Sequence, residues 1–460
     1  MRVRNKKLVT GLLVNGCRLL LALTFILSGF VKANDPYGTV YKIQDYLTAV
    51  NAPDMPRLAL LTASIALAFT EFTIGVSLLF GISRRPTARL TTAFLSVMTL
   101  ITLYLFIFNP ISDCGCFGDV IILTNGQTLA KNIILLAAAI VITKWHYRLI
   151  EFVSDNSKWL ISTISMLFLP AVAMYNVVNL PTFDFSPYKT GTDMKALYDS
   201  QDRQQFDVKI VYERNGETME IDIDDEEPDS TWTYVETRRE RTGGGEMTKG
   251  ALFITDKDGY DLTREIFTKN GYTFLLSIPD LTNADEESID LINEIYDYSL
   301  ENGYDFYCLT GSEEEKAQTY WSEHTGAEYD FYFSDERELK TFVRSSPGLV
   351  LLKDGVIIHK WSNNNLPDEY TLTDRLEKLE HGKMRENSTR KKMSVMIFMF
   401  IGPLLILTII DRLFIGWRFY REMKRKTKEL NLDDIDRHLK LEDIEKKISG
   451  GHENNKRRRT

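Results

Sequence analysis

The chain reads as a multi-pass α-helical membrane protein, a four-helix bundle plus two further spans, with an inserted α/β extracytoplasmic domain. Three observations predict this. Its 460 residues are 44% apolar, and the apolar residues gather in six blocks at 12–31, 58–82, 90–108, 129–143, 159–180 and 394–416. Each is close to the roughly 20 residues that cross a hydrocarbon core, the fourth being the shortest. Between the last two blocks lie more than two hundred residues, 181–393, with alternating strand and helix periods. Basic residues mark one side of the blocks: Arg2, Arg4, Lys6 and Lys7 before the first; Arg84, Arg85 and Arg89 between the second and third; Lys144, Arg148 and Lys158 between the fourth and fifth; Arg418, Arg421, Lys424, Arg425 and Lys426 after the sixth.

The positive-inside bias places both termini in the cytoplasm, and residues 181–392 outside, together with the turn that follows block three. Lys32, Lys42 and Arg57 in the loop 32–57 run against it. A cleaved signal peptide is the alternative for block one, ending at Val31-Lys32-Ala33. The later blocks keep their charge alternation only if block one stays in the membrane. The expected setting is a bacterial-type inner membrane, with membrane lipid and an extracytoplasmic protein partner or client. A net charge of −9 argues against nucleic acid, which demands clustered cations facing the phosphates.

The chain divides into a membrane unit at 1–150, a fifth span at 158–180, a β-rich region at 181–246, an α/β domain at 247–382, a sixth span at 394–416 and a charged tail at 417–460. Between blocks one and two, Val40, Ile43, Leu47 and Val50 recur at helical spacing beside Tyr37, Tyr41 and Tyr46, which predicts a packing helix at the outer interface. The β-rich region holds a hairpin signal at Arg214-Asn215-Gly216, an acidic run from Asp222 to Glu227 and a break at Gly243-Gly244-Gly245. The α/β domain then reads as strand Tyr272 to Ile278, helix Ser288 to Leu300, strand Tyr304 to Leu309, a helix to His324 capped by Ser312 and Glu315, strand Tyr329 to Phe333 and helix Glu336 to Val343. Ser345-Ser346-Pro347, the strands Leu349 to Leu352 and Val356 to Trp361, and a closing helix with Leu372, Leu376 and Leu379 complete it. The tail predicts a solvated helix with a basic end at Lys456 to Thr460.

Reactive atoms gather at Asp113-Cys114-Gly115-Cys116-Phe117-Gly118-Asp119, which holds two of the four cysteines. Two thiols on a glycine-rich turn without an apolar wall can exchange with another disulfide, close a structural disulfide of their own, or take a soft metal. A metal needs further ligands, and none of His146, His324, His359, His381, His438 or His452 is spaced to supply one. Asp113 and Asp119 are expected to raise both thiol pKa values. Cys308 in a buried strand and Cys17 inside span one read as packing.

Arg18, Glu71 and Lys32 are intramembrane ionisable residues, each costing about 3 kcal/mol unless paired. At about 1.5 Å per residue, Arg18 lies roughly 9 Å and Glu71 roughly 16 Å from the inner ends of their spans, which makes them candidate partners. Lys32, near the outer end, can snorkel to the interface. Arg18, Ser28-Gly29, Lys32, Glu71 and Gly75 resemble the pattern of the DoxX and MauE (methylamine utilisation) membrane proteins over roughly residues 10–150. That resemblance implies a unit working beside a separate thioredoxin-like protein in maturing disulfides of a periplasmic enzyme.

The strand and helix order over 247–380, with Ser346-Pro347-Gly348-Leu349-Val350-Leu351, resembles the thioredoxin fold, and Pro347 stands at its cis-proline position. Where that family carries Cys-x-x-Cys, this chain reads Ile278-Pro279-Asp280-Leu281-Thr282-Asn283, so the domain cannot exchange dithiols by itself. Envelope thiol and disulfide handling follows as the expected function, with Cys114 and Cys116 as the redox pair and a quinone as the acceptor. A full relay uses two cysteine pairs, and this chain has one outside. The alternatives are a membrane-anchored scaffold whose domain docks a partner, and a small-molecule carrier built on Glu71.

Overall fold

The computed structural model describes residues 2–50, 52–53, 55–111, 114–214, 217–222, 233–241, 252–312, 315–384 and 389–456. Among the described residues, six helices are long and apolar enough to cross a membrane. They are α1 (Arg2–Asn34), α3 (Arg57–Phe80), α4 (Arg84–Phe108), α5 (Asn125–Lys144), α6 (Lys158–Val178) and α12 (Thr389–Lys456), each over one of the six apolar blocks. A helix satisfies all its backbone groups internally, which hydrocarbon demands. The interfacial helix forms as α2 (Pro36–Ala49), with Asp35 capping it through the Gly38 amide.

Helices α1 and α3 approach closely at two glycines. A Cβ on Gly29 would lie 2.6 Å from the Phe72 amide nitrogen, and one on Gly75 would lie 2.7 Å from that of Ile26. Small residues at such a crossing let two backbones come together without a hydrophobic drive from water. Below it, Val14, Leu21, Ala22 and Phe25 of α1 meet Ile74 and Leu78 of α3 and Ala138, Ala139 and Ile142 of α5. On the other side Phe72 packs against Phe168 of α6 and Phe400 of α12.

The region between α6 and α12 opens with α7 (Met194–Gln205) and a sheet of β1 (Phe206–Arg214), β2 (Glu217–Asp222) and β3 (Thr233–Arg241) in the order β2-β1-β3. Arg214 pairs with Glu217, so β1 and β2 form the expected hairpin, although Asn215 and Gly216 themselves lie outside the described residues. Residues 223–227 of the acidic run and the three glycines at 243–245 also lie outside them, as does the basic end from residue 457.

After α8 (Thr263–Thr268) come β4 (Tyr272–Ile278), α9 (Ile289–Asn302), β5 (Asp305–Thr310), α10 (Glu315–Thr325), β6 (Phe331–Phe333), α11 (Glu336–Phe342), β7 (Gly348–Lys353) and β8 (Val356–Ser362). The sheet order is β6-β5-β4-β7-β8, with β4, β5 and β6 parallel and β7 and β8 antiparallel. Every residue of β4 is buried, as expected for a central strand covered on both faces. Phe274, Leu276 and Ile278 face α9 and Trp321, whereas Leu275 joins Leu339 and Phe342 of α11 on the opposite face. Register carries this through the sheet: Leu276 pairs with Leu349 and Leu275 with Val350, each on its own layer.

One local expectation fails. The closing helix does not form: residues 366–379 make turns, and the Leu376 amide donates to the Tyr304 hydroxyl at 2.9 Å. Leu376 is fully buried, so its apolar spacing with Leu372 and Leu379 reports contact with the core and not a helical face. Ser312 accepts from the Leu281 amide at 3.1 Å, tying its hydroxyl to the neighbouring loop.

The α/β domain sits on the end of the bundle that carries the α4–α5 turn, through α11 and the residues just after it. Arg344 reaches Asp35 at the top of α1 (3.0 Å) and Asp119 after the cysteines (2.8 Å), Arg337 pairs with Asp45, and Lys340 lies over the Tyr41 ring. At the opposite end of the bundle Asp411 of α12 accepts from the Ser154 amide (2.9 Å) and from the Ser157 hydroxyl (2.6 Å). That contact joins span six to the loop before span five.

Candidate functional site

The turn between α4 and α5 is built by two glycines in the left-handed region, Gly115 at φ 65° and Gly118 at φ 53°. A side chain there would be strained. At Gly115 it would also meet the Lys42 side chain at 2.9 Å. The bend places Cys114 Sγ and Cys116 Sγ 2.8 Å apart, as two thiols that hydrogen-bond to each other. An apolar wall does stand beside them: Cys114 is 6% exposed and packs with Leu105 and Ile111, against the expectation of an open turn.

Both cysteine carbonyls are tied down. Tyr46 of α2 donates its hydroxyl to Cys114 O at 2.8 Å. Cys116 O accepts from Ser28 Oγ at 2.7 Å and from Lys32 Nζ at 3.0 Å. Lys32 Nζ also donates to Ser28 Oγ and to Glu71 Oε2, both at 2.7 Å. Lys32 is 5% and Glu71 3% exposed. Two sequence expectations are thereby corrected. Lys32 does not snorkel to the interface, because its ammonium is turned inward under the cysteine turn. Arg18 is not the partner of Glu71: its guanidinium donates to Ile150 O at 2.5 Å and lies over the Phe152 ring, at the end of the bundle away from the cysteine turn. Depth arithmetic compared their distances along two helices but not which faces they occupied.

The two thiols are held in different protonation environments. The Cys116 thiol is lowered from its ordinary range, first by the hydrogen bond from Cys114, against burial, with Lys131 and Lys32 adding positive potential. The Cys114 thiol is raised by that same hydrogen bond, by burial and by the neighbouring sulfur. The expectation that flanking aspartates raise both is therefore wrong for Cys116. Asp119 is engaged by Arg344, and Asp113 lies outside the described residues. Lys131 is the residue the sequence reading passed over. It sits in the first two turns of α5 with its ammonium 4.4 Å from the Phe117 ring centroid. The signal available was a lysine inside an otherwise apolar block.

The Ser346–Pro347 peptide is cis, as the thioredoxin resemblance implies for that position. The loop standing where Cys-x-x-Cys would be is closed on itself: Asp280 accepts from the Thr282 amide and hydroxyl and from Asn283 Nδ2, at 2.7–2.9 Å. Cys308 is fully buried in β5, and burial pushes its thiol up. Among the described residues no three His, Cys, Asp or Glu side chains come together in a form that could hold a metal. A cleft of about 1780 Å³ lies between bundle and domain. It runs from Gly115 and Gly118, past Arg344 and Trp361, to Met396 and Met399 on α12.

Residues 10–144 match the family described as methylamine utilisation protein MauE. That stretch contains the cysteine turn, Lys32, Glu71, Arg18 and Lys131. No curated protein matches the chain. Three solved structures are similar to it. A putative protein disulfide isomerase from Bacteroides thetaiotaomicron is 12% identical over 30% of this chain and 89% of that one, with TM-score 0.23. An uncharacterized conserved protein from Geobacillus kaustophilus is 14% identical over 29% and 82%, TM-score 0.23. The mitochondrial 2-cys peroxiredoxin from Plasmodium falciparum is 15% identical over 32% and 89%, TM-score 0.18. The chain is thus a multi-pass membrane protein whose residues 10–144 match the MauE family, with a mixed α/β domain beyond them.

Proposed function

We propose that the chain handles thiols and disulfides of an extracytoplasmic client through Cys114 and Cys116, with both termini in the cytoplasm of a bacterial-type cell and the α/β domain outside. The observation that carries this reading is the pair itself: two thiols 2.8 Å apart, one favoured as thiolate and the other as thiol, on a turn fixed by three side-chain donors. The thiolate is the form that attacks a disulfide.

In exchange, Cys116 S⁻ attacks one sulfur of a client disulfide, a bond forms between them, and the other client sulfur leaves as thiolate and takes a proton. Cys114 then gives up its proton and attacks Cys116 Sγ. The second client sulfur leaves, two electrons have passed to the client, and the pair is a disulfide. The reverse sequence oxidises a client dithiol. For net oxidation a membrane quinone is the proposed acceptor; bound beside the pair it would supply the two-electron, two-proton oxidation that regenerates the disulfide. The cleft supports this, since it joins the cysteine turn to apolar side chains of α12.

The domain lacks cysteines at its own exchange loop and covers the turn through Arg344, which supports a role in presenting the client to thiols that the bundle supplies. Thiol trapping on intact membranes with a mass-tagged maleimide, before and after reductant and quinone, tests the proposal. Cycling of the pair in wild type, abolished in Cys116→Ser, is expected. A pair locked in one state throughout would replace redox handling by the docking-scaffold reading.

A further inference from the structure

Burying an ammonium and a carboxylate side by side is costly unless every donor and lone pair is used well. Lys32 spends one of its three N–H donors on Glu71, one on Ser28 and one on the carbonyl of Cys116. A pair needed only to join α1 to α3 would have no reason to end on the peptide of a cysteine, since Gly29 and Gly75 already bring those helices together.

We propose that the buried Lys32–Glu71 pair sets the reactivity of Cys116, Lys32 favouring its thiolate and Glu71 opposing it. This rests on the thiol exchange proposed above and assigns the two residues as positioning groups for it. The charged and titratable groups around Cys116 are Lys32 from α1, Glu71 from α3, Lys131 from α5 and Cys114 in the turn itself, with Lys42 of α2 beside Gly115 and Tyr46 of α2 on the Cys114 side. Asp119 is matched by Arg344. Lys32 and Lys131 lower the Cys116 thiol and Glu71 raises it, so the pair pulls in opposite senses. A group that merely held the turn in shape would act in one sense whichever partner was removed.

The test uses the full chain in lipid nanodiscs, reduced, with the rate of Cys116 alkylation by iodoacetamide followed against pH by peptide mass spectrometry. Lys32→Met is expected to move the midpoint up by about one pH unit, slowing alkylation roughly tenfold at a pH below both midpoints. Lys32→Arg is expected to stay near wild type, and Glu71→Gln to move the midpoint down and speed the reaction. Slowing by both Lys32→Met and Glu71→Gln, or an unchanged midpoint in Lys32→Met, overturns the inference. If Lys32→Met does not accumulate, the direction of the Glu71→Gln shift alone decides. Client exchange by wild type is measured separately. Working exchange with unmoved midpoints removes only this inference, whereas no exchange with the predicted midpoints removes the function proposed above.

Discussion

Two loops in this molecule are made in opposite ways: one stands where the thioredoxin resemblance would put a dithiol and carries none, and the other carries two thiols. The one after β4 has the surrounding fold, with a central buried strand before it and a cis proline in the chain beyond, yet its side chains are Asp280, Leu281, Thr282 and Asn283. Its carboxylate is consumed by hydrogen bonds within the loop, and Leu281 points into the core. The turn between α4 and α5 lacks that fold but has two thiols, the buried Lys32 and the half-buried Lys131 nearby, and carbonyls gripped by Ser28, Lys32 and Tyr46. The pair of regions teaches that fold and chemistry can be divided within one chain. The α/β domain keeps the shape and docks through α11, while the membrane unit keeps the sulfur atoms.

The largest expected effect breaks that division outright. Cys116→Ser should abolish client exchange, and Cys114→Ser should instead trap a mixed disulfide on Cys116, because the attacking thiolate remains and the resolving thiol is gone. Non-reducing electrophoresis of membranes distinguishes them. Equal trapping by both variants would show that the roles of the two sulfurs are not divided. Next, Phe274→Ala in β4 should cost the domain about 3–5 kcal/mol by leaving a cavity in a fully buried site. Chemical denaturation followed by a tryptophan signal measures it, and the alkylation midpoint of Cys116 should stay in place if the two regions are built independently.

Arg344→Ala sharpens the contact between the regions. Losing charged hydrogen bonds to Asp35 and Asp119 should weaken docking by about 1.5–3 kcal/mol, and maleimide labelling of the thiols should quicken. Unchanged labelling would mean that the domain does not cover the turn. Smaller still is a pH effect at Asp184. Burial alone would raise its carboxyl, but Lys360 at 2.8 Å and hydrogen bonds from Ser186 hold it below the usual range. The folded value being depressed, its contribution is complete above about pH 4, the unfolded range, and is lost as pH falls through the folded value. A Lys360→Met variant should therefore lose part of the wild-type drop in stability on acidification. The smallest effect belongs to Arg337→Ala, whose pair with Asp45 is half exposed and worth about 0–1 kcal/mol. A larger loss in denaturation would reveal a more tightly sealed interface.

The spans, the interfacial helix and the order of strands were legible in the sequence because each follows from a local period or from apolar length: β4 reads as a strand, and α9 shows Ile289, Ile292 and Ile295 on one face. The cysteine pair was legible from spacing alone. Its partners were not. Which of Arg18 and Lys32 meets Glu71 depends on the rotation of α1 against α3, which the close approach at Gly29 and Gly75 decides. Lys131 becomes a neighbour of the thiols only because α5 returns beside the turn, and Arg344 meets Asp119 across 225 residues of chain. Local patterning thus determined the elements and the reactive atoms, whereas tertiary packing decided their electrostatic surroundings. Charge interactions act through space, and the sequence orders residues only along the chain.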